Sequence, residues 1–448
     1  MKLYVVSLGC PKNRVDSEAM AGILLQHGVQ MEADAAKADI LLVNTCSFIL
    51  DAKEESVNTI LELARLKQRS RKPKVLVVSG CLVQQHGADL PAELHEVDLF
   101  LGSGKVESID QVLALAAERL GAKAVKGVGA GRLITSPGGD CWLPDPAVPR
   151  FLGDQPHRAY LKISDGCSRR CAFCAIPAIK GPLRNRSQQS VVEEARQLGA
   201  LGVKELTLIA QDTSAFGGRG GLVRLLEELD EVEGPQWIRL LYLYPDGVTQ
   251  ALVDCIQHSK KVLPYADMPV QHIDAGLLRR MRRAVSEARV RGAVERLLQI
   301  KGLALRSSLI VGFPGETERA FAKLLSFVEE GPFHNLGVFV FSPEEGTEAA
   351  AMEQTVPREL AEERRGLLME AQLKVSRRRN RALVGRKLSV LVEGPSAEHP
   401  WVQEGRCYAQ APDIDGVTFL ELCDAPPGTI LPCRITGSRD YDLRAQPL

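Results

Sequence analysis

The chain has 448 residues, of which 45% are hydrophobic and 25% are charged. These proportions are typical of a folded globular protein and exclude a disordered or fibrous chain. The 56 lysines and arginines equal the 56 aspartates and glutamates, and this neutrality argues against a surface built throughout for nucleic acid. The length predicts about three domains.

The amino-terminal sequence MKLYVVS lacks the apolar core of a secretory signal peptide. No apolar run in the sequence approaches the ~20 residues that span a bilayer. We therefore predict a cytoplasmic protein with no membrane partner. In that reducing compartment, the eleven cysteines are expected to bind metal or to serve redox chemistry rather than to form disulfides.

The first 135 residues alternate short apolar runs with helical patterns. This alternation predicts an N-terminal α/β domain with a buried parallel sheet. The expected strands are residues 3–6, 40–43, 75–78 and 99–101. The expected helices are residues 16–27, 52–67 and 109–120.

A cysteine follows each of the first three predicted strands, namely Cys10, Cys46 and Cys81. The carboxyl ends of parallel strands share one edge of the sheet, where such folds bind their ligands. We therefore expect the three thiols to converge on a metal centre, with Gly9 and Gly80 allowing close backbone approach. The alternative is that each cysteine is buried as a small hydrophobic residue, but the repetition at three strand ends favours the metal centre.

A second cysteine group is closely spaced: Cys167, Cys171 and Cys174 are separated by three and then two residues. This spacing suits a loop around an iron–sulfur cluster, in which three thiolates leave one of four irons without a protein ligand. An open metal position can bind a substrate or cofactor. The alternative is a zinc or structural site, but zinc usually takes four ligands and the nearest histidine is His157.

Proline and glycine concentrate in residues 136–156, which predicts an irregular linker that contains Cys141. The following region, residues 157–382, repeats strand and helix patterns and predicts a central partial (β/α) barrel, whose active groups follow its strands. The expected strands are residues 159–163, 205–210, 238–242, 265–268, 307–311 and 336–341. Polar residues follow these strands, including Gln211, Asp212, Gln271, His272 and Glu316.

Each polar residue has a structural alternative. His272 could hydrogen-bond backbone groups inside the barrel, and Glu316 could cap the helix that is expected to begin near Thr317. Arg184 and Arg186 follow the cysteine loop and could either bind a carboxylate or face solvent.

The last region, residues 383–448, has short strands separated by turn residues, which predicts a small C-terminal β-barrel. A charged helix precedes it from Pro357 to about Arg381, and such a helix is either solvated or in contact with RNA. From residue 386 onward there are six basic and nine acidic residues, a balance of −3. An acidic barrel suits a basic protein partner better than tRNA.

The Cys-x3-Cys-x2-Cys spacing with Phe173 before the last cysteine resembles the radical S-adenosylmethionine superfamily. The three-cysteine α/β domain ahead of it resembles the methylthiotransferase family, and the barrel resembles a TRAM domain. The resemblance implies two 4Fe-4S clusters, a second one on the N-terminal cysteines that carries sulfur, and S-adenosylmethionine cleaved to a 5′-deoxyadenosyl radical at the cluster of Cys167, Cys171 and Cys174. Similar blocks imply cofactor contacts from Phe173, Gln211, Asp212, Gln271 and Glu316, although Gln211–Asp212 stands where Gly-Glu is common.

Three segments, residues 9–13, 411–416 and 440–443, resemble the branch that modifies an aspartate of small-subunit ribosomal protein twelve. This resemblance implies methylthio insertion at the aspartate β-carbon, on the free protein or within the ribosome. It also implies an electron donor such as flavodoxin or ferredoxin, and a monomer. The alternatives are methylthiolation of a tRNA adenosine, or a cluster-bearing carrier of sulfur that catalyses nothing.

Overall fold

The computed structural model describes residues 1–121, 133–134, 140–397, 399 and 401–448. The chain forms two compact units. Unit one comprises Met1–Gly153, Lys162–Val191 and Ser342–Ala350, and unit two comprises Asp154–Leu161, Val192–Phe341 and Ala351–Leu448. The predicted domain limits at residues 135, 156 and 382 stay predictions, and residues 136–139 of the predicted linker lie outside the described part.

The strands are, in chain order, β1 (Lys2–Ser7), β2 (Gln30–Met31), β3 (Ile40–Thr45), β4 (Val75–Gly80), β5 (Leu99–Gly102), β6 (Leu133–Ile134), β7 (Arg158–Lys162), β8 (Ser164–Asp165), β9 (Arg184–Asn185), β10 (Glu205–Ile209), β11 (Trp237–Leu240), β12 (Val262–Asp267), β13 (Ala304–Val311), β14 (Asn335–Val340), β15 (Lys387–Pro395), β16 (Gln403–Cys407), β17 (Thr418–Leu420), β18 (Ile430–Ser438) and β19 (Leu443–Pro447). The α-helices are α1 (Pro11–Gln26), α2 (Leu50–Arg69), α3 (Cys81–His86), α4 (Leu90–Glu93), α5 (Gln111–Leu120), α6 (Ile176–Lys180), α7 (Gln188–Ala200), α8 (Gly221–Asp230), α9 (Gln250–His258), α10 (Ala275–Arg280), α11 (Glu287–Leu298), α12 (Glu318–Glu329) and α13 (Arg358–Arg381).

Unit one is built on a parallel sheet in the order β2-β1-β3-β4-β5-β6. Every residue of β3 and β4 is buried, as expected for central parallel strands with both faces covered. Side chains of α2 such as Ile60 pack with Leu76 and Phe100 of the sheet. The N-terminal part of the predicted fold class is confirmed.

Helix α1 begins five residues earlier than the sequence pattern predicts. Pro11 occupies its first turn, where proline is favoured because its missing amide hydrogen is not needed. The polar side chains of Asn13, Asp16 and Glu18 are buried together with the apolar ones. The start of the helix therefore has no apolar stripe that periodicity could detect.

The main sheet of unit two has the order β14-β13-β12-β11-β10-β7 and is open rather than closed. Strands β10 to β14 pair in parallel with their neighbours, which confirms the predicted partial (β/α) barrel. Strands β15 to β19 close into a barrel in the order β15-β16-β17-β19-β18, which confirms the predicted C-terminal β-barrel.

Acidic residues of the C-terminal barrel form ion pairs inside unit two. Asp415 accepts hydrogen bonds from Arg306 at 2.6 Å and from the Tyr265 hydroxyl at 2.7 Å. Asp413 pairs with Arg158 at 2.8 Å. The negative balance of the barrel is therefore partly neutralised within the molecule, and it supports a basic partner less strongly than the sequence suggested.

None of the α-helices, within the residues that the structure describes, is long and apolar enough to cross a membrane.

Candidate active site

The three N-terminal cysteines lie at the carboxyl edge of the unit-one sheet. Cys10 follows β1 and is the N-cap residue of α1. Cys46 follows β3 directly, and Cys81 is the first residue of α3, directly after β4. Cys46 and Cys81 are each 7% exposed, whereas Cys10 is half-buried. The structure thus brings together the three residues that the sequence pattern selected.

Asn13 connects these cysteines. Its Oδ1 atom lies 4.0 Å from the Cys10 sulfur and 3.8 Å from the Cys81 sulfur. Its Nδ2 atom donates to the carbonyl oxygens of Leu8 at 3.1 Å and Thr45 at 2.8 Å. The amide therefore holds the ends of β1 and β3 in place while facing two of the thiols.

Two glycines next to the cysteines lie where the chain packs closely. Gly9 has φ +86°, and a Cβ atom there would lie 2.7 Å from the Cβ of Cys46 and 2.9 Å from its sulfur. Gly80 has φ +107°, and a Cβ there would lie 2.4 Å from Oδ1 of Asn44. A side chain at Gly9 would occupy the space beside the Cys46 sulfur, as expected for a cradle that receives a bulky ligand, whereas one at Gly80 would clash with the end of β3.

The protonation of these thiols follows from their burial. Burial raises the pKa of Cys81, the charge of Lys180 lowers it, and the thiolates of Cys10 and Cys46 raise it, so that the pKa is about 12 overall. Burial also raises the pKa of Cys46. Thiols of this kind release their protons when they bind iron, because the thiolate is the ligand.

The donor chemistry of this site fits a cluster. Within the described ranges, no group of three or more His, Cys, Asp or Glu side chains is arranged to hold a metal ion. A 4Fe-4S cluster makes a different demand, because each thiolate binds a separate iron. Three cysteines and a glycine cradle match that demand.

The second cysteine group forms a loop that is closed at its base. The amide of Cys167 donates to the carbonyl of Gly181 at 3.1 Å, and the amide of Cys174 donates to that of Cys171 at 3.1 Å. The amide of Arg169 donates to the Cys167 sulfur at 3.4 Å. All three cysteines are half-buried. The loop therefore holds its thiols in position, with one sulfur already accepting a backbone hydrogen bond.

Phe173 lies half-buried in this loop. The residue before it, Ala172, accepts a hydrogen bond from the Ala349 amide at 2.8 Å. The tip of the cysteine loop is thus fastened to the segment Ser342–Ala350, which belongs to the same unit.

Helix α6 follows the cysteine loop and packs against the N-terminal cysteines. Its Ile179 and the preceding Ala175 form a buried cluster with Cys81. The same helix ends beside Gly181, which accepts the hydrogen bond from Cys167. The segment of residues 175–181, which contains this helix, therefore contacts both cysteine groups, although Cys81 and Cys167 are 86 positions apart in sequence.

Four buried charges lie beside this helix. The ammonium of Lys162 is 2.6 Å from Asp16 and 3.1 Å from Asp165. The ammonium of Lys180 is 3.7 Å from Asp16 and 3.6 Å from Asp165. Burial lowers the pKa of Lys180, but the charges of Asp165, Cys81 and Asp16 outweigh that effect and raise it. Lys180 therefore stays charged in the interior.

In unit two, the ends of β10 and β11 are joined by hydrogen bonds. Asp212 is 3% exposed, and its Oδ1 accepts a hydrogen bond from the Ser214 hydroxyl at 2.5 Å. The same hydroxyl accepts from the amide of Tyr244 at 3.2 Å. Gln211 is half-buried next to Asp212. These predicted cofactor contacts lie at the strand ends where the fold places active groups.

Two non-glycine residues, one after β11 and one after β12, have a left-handed backbone. Tyr242 has φ 62° and Gln271 has φ 68°. Such conformations cost energy and concentrate at functional sites. Gln271 is held by its amide, which donates to Ser308 at 2.9 Å, and by its carbonyl, which accepts from Ile310 at 2.8 Å. The backbone therefore fixes the orientation of this predicted contact residue.

Glu316 is buried and bonded within the protein. One carboxylate oxygen accepts from the Gly312 amide at 2.7 Å and from Arg364 at 2.8 Å. The other is 3.3 Å from Nε2 of His272. Thr317, rather than Glu316, caps helix α12 through its hydroxyl. The geometry gives Glu316 the role of holding the loop after β13, and a direct cofactor contact stays a prediction.

Sequence reasoning missed several residues of the site, namely Asn13, Asp16, Lys162, Asp165 and Lys180. Asn13 lies inside the segment 9–13, whose resemblance to a family was recognised, so a signal was present for it. The four charged residues had no signal, because a buried polar residue interrupts periodicity without indicating its partner.

The described geometry, with a half-buried Cys-x3-Cys-x2-Cys loop and an open parallel (β/α) barrel, defines a radical S-adenosylmethionine enzyme. Residues 161–328 match the Radical SAM superfamily model. Residues 2–102 match the model named Uncharacterized protein family UPF0004, and residues 384–448 match the TRAM domain.

Relatives similar over nearly the whole chain carry one name. A protein of Syntrophus aciditrophicus is 44% identical over 99% of this chain and 98% of its own length. One from Anaeromyxobacter sp. is 47% identical over 99% of this chain and 92% of its own length. Both are named Ribosomal protein uS12 methylthiotransferase RimO. The chain belongs to the RimO family, which confirms the resemblance seen in the sequence.

Solved structures share the fold at low identity. The radical S-adenosylmethionine methyltransferase TsrM from Kitasatospora setae, solved with cobalamin and a [4Fe-4S] cluster, has a TM-score of 0.55 at 16% identity. The alignment covers 78% of this chain and 76% of TsrM. The cobalamin-dependent enzyme OxsB has a TM-score of 0.50 at 12% identity, over 82% of this chain and 56% of OxsB. These likenesses concern the fold alone.

Proposed function

We propose that this protein inserts a methylthio group at the β-carbon of an aspartate of ribosomal protein uS12. The observation that carries the proposal is that one segment, residues 175–181 with helix α6, contacts both cysteine groups. A carrier of sulfur needs one such group, whereas radical insertion of sulfur needs one site for radical generation and one for the sulfur. Family membership supports the choice of substrate.

Each cysteine group has its own role in this proposal. Cys167, Cys171 and Cys174 hold a 4Fe-4S cluster and, through its open iron, S-adenosylmethionine. Cys10, Cys46 and Cys81 hold a second 4Fe-4S cluster beside the sulfur to be transferred. Together these groups supply the one-electron chemistry that an unactivated C–H bond requires and that no ordinary side chain offers.

The remaining site residues bind and orient. Phe173, Gln211, Asp212 and Gln271 are proposed to contact S-adenosylmethionine, since they stand in the cysteine loop or at strand ends. Glu316 is proposed to act with them by fixing the loop after β13. The strained backbone of Gln271 supports this role, because such strain is retained where a side chain must keep one direction.

The setting of the reaction follows from the substrate. A ribosomal protein substrate places the enzyme in the cytoplasm, where it acts on the free protein or on the ribosome. The protein is proposed to act as a monomer, and a low-potential donor such as flavodoxin or ferredoxin supplies the electron.

Anaerobically reconstituted protein tests the cofactor assignment. The wild type is expected to hold about eight irons. The triple variant Cys167/Cys171/Cys174→Ala is expected to keep about four and to lose 5′-deoxyadenosine formation. The matched control is Cys141→Ala, because this thiol is buried in unit one outside both groups, and its iron content should equal that of the wild type. About four irons in the wild type and none in the triple variant would contradict the two-cluster assignment.

The substrate is tested with S-adenosylmethionine, a reductant, and either uS12 or tRNA. We expect mass spectrometry to find one methylthio group on an aspartate of uS12 and none on tRNA. Methylthiolated adenosine with unmodified uS12 would establish the alternative. The variant Cys46→Ala should still cleave S-adenosylmethionine but leave uS12 unmodified.

A further inference from the structure

Lys180 has a buried ammonium group whose hydrogen-bonding capacity is unused. The residue ends α6 and its side chain is 2% exposed. Across the part of the chain that the structure describes, its Nζ atom has no hydrogen-bond partner. A buried ammonium with three unused donors is costly, so this position calls for an acceptor.

The neighbouring carboxylates do not fill this need. Lys162 donates to Asp16 at 2.6 Å and to Asp165 at 3.1 Å, and Asp165 also accepts from the Gly166 amide at 2.9 Å. The oxygens nearest to Lys180 lie at 3.6 and 3.7 Å, beyond hydrogen-bonding distance. The two carboxylates thus balance the charges of both lysines but give their hydrogen bonds to Lys162.

The ammonium lies close to the N-terminal cysteines. Ile179, its neighbour in sequence, and Ala175 pack directly on Cys81. The charge of Lys180 interacts with the thiolates of Cys81 and Cys10. An acceptor that reaches Lys180 from this direction would therefore lie beside the thiols that are proposed to hold the second cluster.

We propose that Lys180 binds the sulfur that the reaction transfers, by donating hydrogen bonds to a small sulfur anion, hydrosulfide or methanethiolate, beside Cys10, Cys46 and Cys81. The inference rests on the proposed function, because methylthio insertion requires such a species at this site. A sulfur anion in a buried site needs a cation and hydrogen-bond donors, and Lys180 supplies both. Lys180 is thus a binding residue for the transferred group.

The test uses the Cys167/Cys171/Cys174→Ala protein, in which only the N-terminal cysteines can hold a cluster. Sodium methanethiolate is titrated into the reconstituted, reduced protein, and changes in its electron paramagnetic resonance spectrum give a Kd. Adding Lys180→Met is expected to weaken binding about tenfold or more, as for loss of a hydrogen bond to a charged group. Lys180→Arg keeps the charge and should restore most of the affinity.

Lys74→Met is the matched control. Lys74 is 4% exposed, and its ammonium donates to the carbonyl oxygens of Ala36 at 2.8 Å and Ala35 at 3.3 Å. It precedes β4 at the strand end opposite to Cys81. Its replacement should leave the Kd unchanged, which separates loss of a buried lysine from loss of this particular one.

Asp16→Asn provides a second test, in which the affinity for methanethiolate should rise rather than fall. It removes a negative charge 3.7 Å from the Lys180 ammonium, so methanethiolate should bind more tightly, whereas a general disturbance of the fold would weaken binding. An unchanged Kd in Lys180→Met overturns the inference. If Lys180→Met does not take up iron, weaker or unchanged binding in Asp16→Asn overturns it instead.

A parallel titration with sodium sulfide shows which of the two anions binds. For that anion, we expect the Kd values of the variants to fall in the same order as described for methanethiolate. Absence of methylthiolated uS12 in the wild-type assay would overturn the proposed function while leaving this binding result intact. The two failures are therefore distinguishable.

Discussion

The ammonium of Lys162 lies 2.6 Å from a carboxylate oxygen of Asp16, and both side chains are buried. The two residues are 146 positions apart in sequence, one on α1 and the other at the end of β7. This pair fastens the cysteine loop that follows β7 to helix α1, whose N-cap residue is Cys10. Both residues belong to unit one, which also contains the two cysteine groups. The ion pair therefore helps to position these groups.

Lys162→Met should destabilise unit one, because it leaves two buried carboxylates with one lysine between them. Removing one partner of a buried ion pair typically costs about 3–5 kcal/mol. The double variant Asp16→Asn/Lys162→Met should cost less than the sum of the two single variants, since the partners are removed together. Urea unfolding of reconstituted protein measures these free energies.

The control is the exposed pair of Lys37 and Asp34, which are 3.2 Å apart. Its disruption should cost no more than about 1 kcal/mol. Equal losses in Lys162→Met and Lys37→Met would show that the buried pair has no special role.

Gly9→Ala should remove the N-terminal cluster. The added Cβ would meet the Cβ of Cys46 at 2.7 Å, at a backbone φ of +86°, so Cys46 would be displaced from its position. The iron content is expected to fall from about eight to about four, while 5′-deoxyadenosine formation continues.

Gly28→Ala is the control for backbone strain. Gly28 has φ +78° with nothing within 4 Å of an added Cβ, so the substitution should cost about 1 kcal/mol and leave the iron content unchanged. Full iron content in Gly9→Ala would contradict the cradle that we describe around Cys46.

Glu205→Gln should weaken the attachment of the C-terminal barrel. Glu205 accepts hydrogen bonds from Arg239 at 2.7 Å and from Arg406 of β16 at 2.5 Å, all within unit two. The substitution removes the negative charge that pairs with two buried guanidinium groups. We expect it to lower the free energy of unfolding by about 3–5 kcal/mol. Glu193→Gln, at an exposed helical pair, is the control and should cost less than about 1 kcal/mol.

The same carboxylate should contribute to acid unfolding. Burial would raise the pKa of Glu205, but Arg406 and Arg239 lower it to about 2. Because its folded-state pKa is below the unfolded value of about 4.3, its stabilisation is complete above that value and is lost as the pH falls toward 2. Glu205→Gln should therefore make the unfolding free energy depend less on pH in this acidic range. An unaltered slope would show that Glu205 is not the group responsible.

His334 should make stability depend on pH in a milder range. Burial and the charge of Arg379 lower the pKa of His334 to about 4, against about 6.5 when unfolded. Between these values the unfolded chain binds the proton and the folded chain does not, so stability falls as the pH drops from 6.5 to 4. At pH 5 the loss should be about 2 kcal/mol relative to neutral pH.

Replacement by glutamine tests this dependence. His334→Gln should remove most of the difference in unfolding free energy between pH 7.5 and pH 5, measured by urea unfolding. His258→Gln, at an exposed position, is the control and should leave the difference as it is. The same pH dependence in His334→Gln and wild type would assign it to other groups.

Strands that are buried on both faces can be predicted from the sequence, whereas strands with polar residues cannot. Strands β3 and β4 are buried on both faces, so they form continuous apolar runs that the sequence displays. Strand β16 displays no such run, because its sequence QEGRC is mostly polar. Its Arg406 is buried, and Glu205 from another part of unit two balances its charge. A strand that depends on a distant ion pair has no local pattern to reveal it.

The sequence by itself determined the two cysteine groups and the strand ends on which they lie. Cysteine spacing and apolar runs are local properties, and the order of parallel strands turns them into a shared edge. Only the tertiary structure decided what surrounds those cysteines. Asn13 and Lys180 gain their positions through backbone and charge contacts with residues remote in sequence. Buried polar groups are selected by the hydrogen bonds and charges around them, and those neighbours exist only once the chain has folded.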